Sequence, residues 1–392
     1  MAGLVIKPRS RIFHGHDWVY ASEVLKAFGD PQDGEVVSLK DGRDRLLGSA
    51  IYNKQSQIVA RRFSRQRQDL DLDFFVRRIR QAAEYRERRG VRPDLCRVVW
   101  SESDGLPGVI VDRYGPWLVL QTLTKAMDVR KNLLVEALVA VFAGSGIRGI
   151  VESNEGGSRK AEGLELVSGV LWGEKPEPLE FVIGGNRFEI DAGAGHKTGF
   201  YLDQVNNYEK VSAYASGRRV LDCFSNQGGF ALACAQAGAR EVLAVEVSGE
   251  MVNKIEANAR RNELTVRAIE ANVFDFLHSQ TRNNEVYDLI ILDPPSFAKG
   301  KGKVDDARRG YKEIHLRALQ LLAPDGLLAT FSCSHHLTTG LLNEVVVEAS
   351  TDARRSVREI ATFSQGLDHP ILPHIPETSY LHGSLLEAMR GR

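Results

Sequence analysis

The sequence predicts an α/β protein whose C-terminal half is a doubly wound, Rossmann-like sheet, preceded by a small β-barrel and a middle α+β domain. From about residue 207 onward, apolar strand-like runs alternate with amphipathic helical runs, which is the rhythm of βα units in a parallel sheet. The run YDLIIL is almost continuously apolar, as in strands buried on both faces. Residues 1–66 instead contain short alternating segments broken by glycine turns, which favours a small barrel or sandwich.

A chain of 392 residues is too long for one typical core, so several domains are expected. We place them at residues 1–66, 67–180 and 181–392. The middle domain is predicted to open with a helix and to continue as a β-meander over about residues 95–125. The apolar face of that helix is predicted from Leu72, Phe75, Val76, Ile79 and Ala83, with the arginines on the opposite face.

Charge is unevenly distributed along the chain, although the formal net charge is zero. Residues 1–92 contain 19 Lys and Arg against 12 Asp and Glu, which leaves a net charge of +7 on this segment. Such an excess suits a polyanionic partner such as RNA, and it equally suits a solvated basic helix face. Trp18, Arg61 and Arg62 are candidate RNA contacts, although Trp18 is equally compatible with a core position.

The four cysteines do not form a CxxC pair, so the pattern indicates neither a zinc site nor a disulfide framework. A reduced cytoplasmic environment is therefore expected. The sequence contains no apolar run of membrane-spanning length, and its first residues lack the apolar segment of a signal peptide.

A cofactor loop is predicted where the strand RRVLDCF passes into the helix GGFALACAQAG. Glycines at such a turn allow the backbone to approach a ligand and begin the next helix, although a glycine-containing turn is also common for structural reasons. The candidate cofactor-binding residues of this loop are Asp222, Phe224, Ser225, Gly228, Gly229 and Phe230.

Two residues at the ends of the following strands extend this site. Glu246 follows the glycines by about twenty residues, where a carboxylate can accept hydrogen bonds from both hydroxyls of a ribose. Asn272 can either contact an adenine edge or cap the next helix. Because the loop has neither the GxGxxG pattern nor a Walker lysine, an adenosine-containing cofactor without a phosphate cradle is expected, and S-adenosylmethionine fits best.

The next strand ends in Asp293-Pro294-Pro295-Ser296-Phe297. The prolines restrict the backbone, Asp293 would project beside the cofactor, and Phe297 could stack on a flipped-out base. An acid, two prolines and an aromatic residue are typical of methyl transfer to a planar nitrogenous substrate, and the alternative is an ordinary turn. We therefore interpret Asp293 as a catalytic residue and residues 294–297 as substrate contacts.

A cysteine is predicted at the same edge of the sheet. Cys333 follows another buried strand and has polar neighbours that include His335 and His336, which can favour the thiolate. A thiolate that attacks carbon 6 of a pyrimidine turns carbon 5 into a nucleophile, and Asp293 can stabilise this adduct at ring nitrogen 3. Cys223 and Cys234 are interpreted as buried apolar residues. The sequence does not identify the base that removes the carbon-5 proton.

These motifs resemble those of the RlmI-type (YccW-like) bacterial methyltransferases, which form 5-methylcytosine in large-subunit ribosomal RNA. The resemblance extends over nearly the whole chain. GHDWVYASEV resembles the family's RNA-binding PUA domain, and SDGLPGVIVDRYG resembles its linking domain. In the catalytic part the matching motifs are GHKTGFYLDQ, VLDCFSNQGGFAL, DPPSFAK, RGYKEIHLRALQLL, FSCSHH and IPETSYLHG.

The resemblance implies a role for each matching residue. Residues 222–230 and Glu246 would bind S-adenosylmethionine. Lys197, Tyr201 and Gln204 would line the approach of the cofactor or the substrate and count, with Asp293, among the candidate cofactor-binding residues. Asp293 would also contact the cytosine, and Cys333 would be the nucleophile. Glu246 and Asn272 stand where the family has Asp. Ser296 stands where other 5-methylcytosine RNA enzymes carry a second cysteine.

Two other functions stay open at this point. One is a methyltransferase acting on a purine ring nitrogen or an exocyclic amine of RNA, for which no cysteine nucleophile is needed. The other is a vestigial methyltransferase that binds RNA as a ribosome assembly factor. Ribosomal RNA is the expected partner, no membrane association is expected, and a homodimer is compatible with the sequence without being indicated by it.

Overall fold

A computed structural model describes residues 2–193, 198–297, 304–334 and 338–390 of the chain. It divides into two compact units. Unit 1 comprises Met1–Leu179, Ile190–Leu202 and Leu367–Thr378, and unit 2 comprises Glu180–Glu189, Asp203–Gly366 and Ser379–Arg392. In the described ranges, no helix is both long and apolar enough to cross a bilayer.

The first part of unit 1 is a six-stranded sheet with the order β2-β6-β5-β4-β1-β3. Its strands are β1 (Gly3–Ile6), β2 (Trp18–Val19), β3 (Val24–Phe28), β4 (Val36–Lys40), β5 (Leu46–Tyr52) and β6 (Ala60–Ser64). β1 and β4 pair in parallel, and the other pairs are antiparallel. β3 is an edge strand with no fully buried residue, so it lacks the clear apolar period by which a strand is predicted from sequence.

The second part of unit 1 is a five-stranded sheet with the order β11-β10-β9-β8-β7. Its strands are β7 (Leu95–Trp100), β8 (Val109–Tyr114), β9 (Trp117–Thr122), β10 (Gly149–Asn154) and β11 (Val167–Gly173). Its helices are α1 (Leu72–Arg88), α2 (Lys125–Asp128), α3 (Lys131–Val141) and α4 (Ser158–Ala161). The meander predicted over about residues 95–125 is present as β7–β9, which pair antiparallel in chain order. The Asp71 carboxylate accepts the Phe74 N–H and so starts α1.

Helix α1 departs from its predicted pattern at one arginine. The arginines were expected on the solvent face, but Arg86 is 3% exposed. Its guanidinium donates to both carboxylate oxygens of Asp104, at 2.6 and 2.8 Å, and to the carbonyl of Arg97. A fork-shaped pair of this kind is what allows a buried charge to be tolerated, so the prediction was wrong for Arg86.

Unit 2 is built around a seven-stranded sheet with the order β16-β15-β14-β17-β18-β20-β19. Its strands are β14 (Arg219–Cys223), β15 (Glu241–Glu246), β16 (Arg267–Glu270), β17 (Tyr287–Leu292), β18 (Leu322–Ser332), β19 (Val357–Ser364) and β20 (His382–Ala388). Its helices are α5 (Val205–Ser212), α6 (Gly229–Gln236), α7 (Gly249–Arg261), α8 (Val273–Arg282), α9 (Val304–Leu321) and α10 (Thr339–Asp352). A separate two-stranded sheet consists of β12 (Leu179–Ile183) and β13 (Asn186–Ile190).

The strand order of this sheet reverses between β14 and β17. The strands from β16 to β18 are parallel, and β20 and β19 are antiparallel additions at one edge. The predicted Rossmann-like sheet is therefore confirmed, with a mixed edge that was not predicted. In such sheets ligands bind beyond the carboxyl ends of the strands at the point of reversal, which here are the ends of β14 and β17.

Candidate functional site

The loop after β14 has an unusual backbone. Phe224, Asn226 and Gly228 have φ angles of 63°, 50° and 85°. Left-handed geometry is costly for a bulky residue such as Phe224, and strain of this kind clusters at ligand sites. The loop is attached to the neighbouring strand by a hydrogen bond from the Ser225 N–H to the carbonyl of Val245, at 3.1 Å. The sheet therefore holds the loop in this conformation at the point where the strand order reverses.

The two glycines of the loop are required by packing inside the protein. A Cβ on Gly228 would lie 2.6 Å from a methyl carbon of Leu232, and a Cβ on Gly229 would lie 2.3 Å from the ring of Tyr208. Both distances are shorter than a non-bonded contact allows. The sequence left two explanations for the glycines open, the approach of a ligand and an ordinary structural turn. The packing around them is a sufficient reason for the second, and the ligand contact stays a prediction.

Asp222 has one carboxylate oxygen that is satisfied and one that is not. Its Oδ2 accepts from the Ser225 hydroxyl at 2.5 Å and from the Ala231 N–H at 3.0 Å. Its Oδ1 is buried and has no hydrogen-bond partner among the described residues. Burial raises the pKa of Asp222 to about 7, with the charge of Asp293 adding to the effect and the Ser225 hydrogen bond opposing it. A buried acceptor without a donor costs free energy, so this oxygen suits a ligand that brings a donor or a positive charge.

Glu246 organises the loop from the end of β15. Its Oε2 accepts from the Asn226 N–H at 2.9 Å, and its Oε1 accepts from the N–H groups of Val247 and Ser248 at 2.8 and 3.1 Å. Because a carboxylate oxygen accepts about two hydrogen bonds, Oε2 retains capacity for one more. The predicted ribose contact would therefore use mainly this oxygen.

Asn272 and Phe230 have structural roles in the described chain. The Asn272 side chain accepts from the Phe274 N–H at 2.9 Å and so caps α8, which is the alternative that the sequence left open beside an adenine contact. Phe230 is buried in the core, with its ring 4.7 Å from that of Tyr208 and 5.1 Å from that of Phe331. Their cofactor contacts stay predictions.

Asp293, at the end of β17, is held by two successive amide side chains. The Gln204 Nε2 donates to Asp293 Oδ2 at 3.0 Å, and the Asn207 Nδ2 donates to Gln204 Oε1 at 2.7 Å. Asn207 also donates to the carbonyl of Ser364 at 3.1 Å, and both amides are buried. Asn207 was not identified from the sequence. The signal that was available is its position three residues after Gln204, which places both side chains on one face of a helical turn.

This arrangement predicts that Asn207→Leu lowers the turnover number about fivefold, because Gln204 loses the donor that orients it and a buried hydrogen bond contributes roughly 1 kcal/mol. Steady-state kinetics with RNA substrate would measure the loss, and calorimetry should show unchanged cofactor affinity. Asn206→Leu is the matched control, since Asn206 is the exposed neighbour on the same helix. Equal turnover in the two variants would contradict a positioning role for Asn207.

Cys333 lies at the same rim as Asp293. β17 and β18 pair in parallel up to Leu292 and Thr330, so the residues that follow them emerge side by side. The Cys333 Sγ lies 3.9 Å from the carbonyl oxygen of Pro294, the residue next to Asp293. Among the four cysteines, all in the described part of the chain, Cys333 alone is not buried. Burial raises the pKa of Cys96 to about 12 and also raises those of Cys223 and Cys234, which disfavours their reactive thiolates.

The strand end that carries Cys333 is braced by helix α9. The Tyr311 hydroxyl donates to the Ser332 Oγ at 3.2 Å, and the Ser334 N–H donates to the same oxygen at 3.4 Å. One turn further along the helix, the imidazole of His315 lies 2.8 Å from the Thr330 hydroxyl, and burial lowers the pKa of His315 to about 4. The imidazole therefore stays neutral at ordinary pH. These bracing residues were not identified from the sequence.

The predicted substrate residues differ in their surroundings. Pro294 is buried, Pro295 is exposed and Ser296 is half-buried. The ring of Phe297 packs 4.9 Å from that of Tyr311, 5.7 Å from that of Phe274 and 6.3 Å from that of Phe224. This aromatic cluster fixes the ring in place.

Four further residues were predicted to belong to the site or to flank it. Lys197, His335 and His336 fall outside the described residues, and Tyr201 is a half-buried residue of unit 1. The predicted roles of these four residues stay untested predictions.

The candidate RNA contacts of the first sheet are engaged inside unit 1. Arg61 donates to the Glu102 carboxylate at 2.8 Å and lies over the Trp18 ring, whose Nε1 donates to the same carboxylate oxygen. Arg62 is buried and paired with Asp17 at 2.7 Å. Trp18 and Arg61 thereby connect the first sheet to the segment after β7, and Arg62 pairs within the first part of unit 1. All three side chains are already engaged by carboxylates, and their RNA contacts stay predictions.

The likeness to known proteins agrees with this geometry. A family model described as S-adenosylmethionine-dependent methyltransferase matches residues 141–362, which is more than half of the chain. The chain belongs to this family. Because the chain belongs to this family, its cofactor is S-adenosylmethionine. A PUA-like domain model matches residues 7–65 of the methyltransferase.

Curated relatives match the methyltransferase along nearly its whole length. The ribosomal RNA large subunit methyltransferase I of Erwinia tasmaniensis is 38% identical over 94% of each chain, and that of Aeromonas salmonicida is 37% identical over 98% of each chain. A solved SAM-dependent methyltransferase from Streptococcus mutans has the same fold, with a TM-score of 0.85 and 21% identity over 99% of this chain and 100% of the other.

The residues at the carboxyl edge of the sheet fit S-adenosylmethionine. The side chains brought together there, Asp222, Glu246 and Asp293, are acidic, and one buried oxygen of Asp222 has no partner in the described part of the chain. Carboxylates attract the sulfonium and ammonium groups of this cofactor and would repel the pyrophosphate of a dinucleotide. This group of carboxylates is therefore suited to a cationic ligand.

The raised pKa of Asp222 predicts that cofactor affinity depends on pH. Below about pH 7 the protonated side chain has no charge to offer a cationic ligand, so the dissociation constant for S-adenosylmethionine should rise by up to about tenfold for each pH unit below this value. Calorimetric titrations between about pH 5.5 and pH 8.5 measure this. Ser225→Ala removes a hydrogen bond that favours the carboxylate, so its transition should occur at higher pH. A pH-independent affinity would contradict this assignment.

Proposed function

We propose that this methyltransferase methylates carbon 5 of a cytidine in large-subunit ribosomal RNA through a covalent adduct with Cys333. The observation that supports this most is the position of the Cys333 thiol, 3.9 Å from the carbonyl of Pro294 and beside Asp293. The RNA substrate is carried over from relatives named ribosomal RNA large subunit methyltransferase I. A methyltransferase acting on an amine would have no use for an accessible thiol at this position.

The chemistry follows from the electronic structure of cytosine. The Cys333 thiolate forms a bond to carbon 6, and the displaced electron pair makes carbon 5 nucleophilic. Asp293, in its protonated form, donates a proton to ring nitrogen 3 and so stabilises the adduct. S-adenosylmethionine supplies an electrophilic methyl group to carbon 5. A base then removes the carbon-5 proton, the double bond between carbons 5 and 6 re-forms, and the thiolate of Cys333 leaves. Ring nitrogen 3 returns its proton to the Asp293 carboxylate, which restores the acid for the next turnover.

The protein residues divide this work. We propose that Asp222, the loop over residues 224–230, Glu246 and Asn272 hold the cofactor, while Gln204 orients Asp293. Pro294–Phe297 would form the wall against which the cytosine lies. Residues 1–66 would act as an RNA-binding domain, residues 67–180 as a linking domain and residues 181–392 as the catalytic domain. With ribosomal RNA as substrate, the expected place of action is the cytoplasm.

The product identifies the reaction. Large-subunit ribosomal RNA transcribed in vitro, and therefore unmodified, is incubated with the enzyme and isotopically labelled S-adenosylmethionine, and its nucleosides are separated by mass spectrometry. We expect 5-methylcytidine as the labelled nucleoside. Label in N4-methylcytidine or in a methylated purine would contradict the proposal and favour the amine or ring-nitrogen alternative. Absence of both label and cofactor binding would favour the vestigial alternative.

A further inference from the structure

A groove of about 540 Å³ lies entirely within unit 1, beside the start of helix α1 and the end of strand β6. Its lining is polar and rich in groups that donate hydrogen bonds. Four arginines and three glutamines contribute to it: Arg62, Arg65, Arg77 and Arg78, with Gln66, Gln68 and Gln81. The side chains of Phe63 and Phe74 also line it.

The acidic residues of this groove are neutralised within unit 1. Asp17 is paired with Arg62 at 2.7 Å. Glu102 accepts from Arg61 and from the Trp18 ring nitrogen, both at 2.8 Å. The remaining arginines of the lining therefore give the groove a net positive charge. One of them, Arg77, forms an ion pair with Asp73 on the exposed surface of α1.

Arg78 is the arginine whose surroundings most require an anion. Its guanidinium is half-buried and lies over the Phe74 ring, with hydrogen bonds to the Phe63 carbonyl at 3.3 Å and the Gln81 side chain at 3.5 Å. No carboxylate of the described residues lies within ion-pair distance of it. Burial, with the nearby charge of Arg77, lowers the pKa of Arg78. A partly desolvated cation without a counter-charge is unfavourable until an anion binds.

The residue beside this guanidinium is a glycine, which adds no side chain next to Arg78. Gly105 has a φ of 68°, and a Cβ at this position would lie 3.2 Å from the Arg78 guanidinium carbon. Arg65 is exposed on the same groove, and no ion pair within the described ranges engages it. Two guanidinium groups are therefore available to one extended ligand.

We propose that this groove binds the phosphodiester backbone of the RNA substrate, with Arg65 and Arg78 contacting phosphates. The inference rests on the proposed function, which supplies an RNA substrate. Guanidinium forks match the geometry of phosphate oxygens, and the glutamine amides can bond to sugar and phosphate oxygens. An open groove with several cations suits a chain of phosphates better than a single one.

The test measures how RNA affinity depends on salt. Binding of a fluorescein-labelled single-stranded RNA of about 20 nucleotides is followed by anisotropy between about 50 and 400 mM KCl. For Arg65→Gln/Arg78→Gln we expect about tenfold weaker binding at low salt and a salt slope reduced by about 1.4, since each contact to single-stranded RNA contributes about 0.7. Arg80→Gln/Arg88→Gln is the control, with the same charge loss at exposed positions of α1 that do not line this groove; it should keep the wild-type slope.

A second pair of variants avoids removing Arg78, which also packs against the core. Gly105→Asp places a carboxylate beside Arg78, and Gly105→Asn has the same shape without the charge; both side chains tolerate the left-handed backbone. We expect the aspartate variant to bind RNA more weakly than the asparagine variant. Cofactor affinity, measured by calorimetry, should be the same in all variants.

Any one of three results would overturn the proposal. The first is an equal salt slope for the groove variant and its control, and the second is equal RNA affinity of the two Gly105 variants. The third is full displacement of RNA by about 10 mM inorganic phosphate, which would indicate a site for a single phosphate. Wild-type protein that methylates RNA while the groove variants keep its salt slope would refute the groove and leave the proposed function intact. Wild-type protein that neither binds nor methylates RNA would refute the proposed function itself.

Discussion

Replacing Cys333 with alanine is expected to abolish methyl transfer while leaving the affinity for S-adenosylmethionine unchanged. Carbon 5 of cytosine is too weak a nucleophile to accept the methyl group until a thiolate has added to carbon 6, so no other residue can substitute for the sulfur. We expect the turnover number to fall by roughly 10⁴-fold or more. Single-turnover assays with labelled cofactor would measure the loss, and calorimetry would measure cofactor binding.

The chain contains a matched control for this substitution. Cys96 is a buried thiol of unit 1, and Cys96→Ala makes the same chemical change at a cysteine that does not belong to unit 2. Its activity should stay within a fewfold of the wild type at a temperature where both are folded. A Cys333→Ala variant with wild-type turnover would reject the covalent route.

Asp293→Asn is expected to have the second largest effect, a reduction of the turnover number of about 10² to 10⁴-fold. The amide has the same shape and can still meet Gln204, but it cannot transfer a proton to ring nitrogen 3 of the cytosine. Because the substitution also removes one carboxylate from the acidic edge, we expect a modestly weaker affinity for the cationic cofactor.

Asp288→Asn is the control for this second prediction. Asp288 lies near the start of the same strand, β17, where it accepts from the Arg219 N–H at 2.8 Å and pairs with Arg240. Removing its charge should lower stability slightly without changing turnover. If the two variants lost activity equally, the effect of Asp293→Asn would be one of strand stability and not of proton transfer.

The sequence predicted the sheet edge well, because its information there is local. A continuous apolar run such as YDLIIL, placed between helical segments, favours a strand buried on both faces. An acid or a cysteine that directly follows such a strand emerges at its carboxyl end. For that reason the sequence alone predicts that Asp293 and Cys333 lie close together. The distance of 3.9 Å from the Cys333 sulfur to the carbonyl oxygen of Pro294, the residue after Asp293, agrees with this prediction.

The sequence could not predict what depends on contacts between distant segments. Asn207 orients Gln204, and Gln204 contacts Asp293 across 89 residues of chain. Gly229 is small because the ring of Tyr208 lies against it, although the glycine pattern alone pointed to a ligand. Arg86 is buried because Asp104 neutralises it, and no helical period can show a partner of this kind.

The most direct test of the central claim uses RNA in which 5-fluorocytidine replaces cytidine. After methyl transfer, carbon 5 carries fluorine in place of the removable proton, so the bond between Cys333 and carbon 6 cannot be released. We expect a covalent protein–RNA complex that forms only with S-adenosylmethionine, and mass spectrometry should locate the attached nucleotide on the peptide that contains Cys333. Methylation of this RNA without a trapped complex, or attachment to another residue, would contradict it.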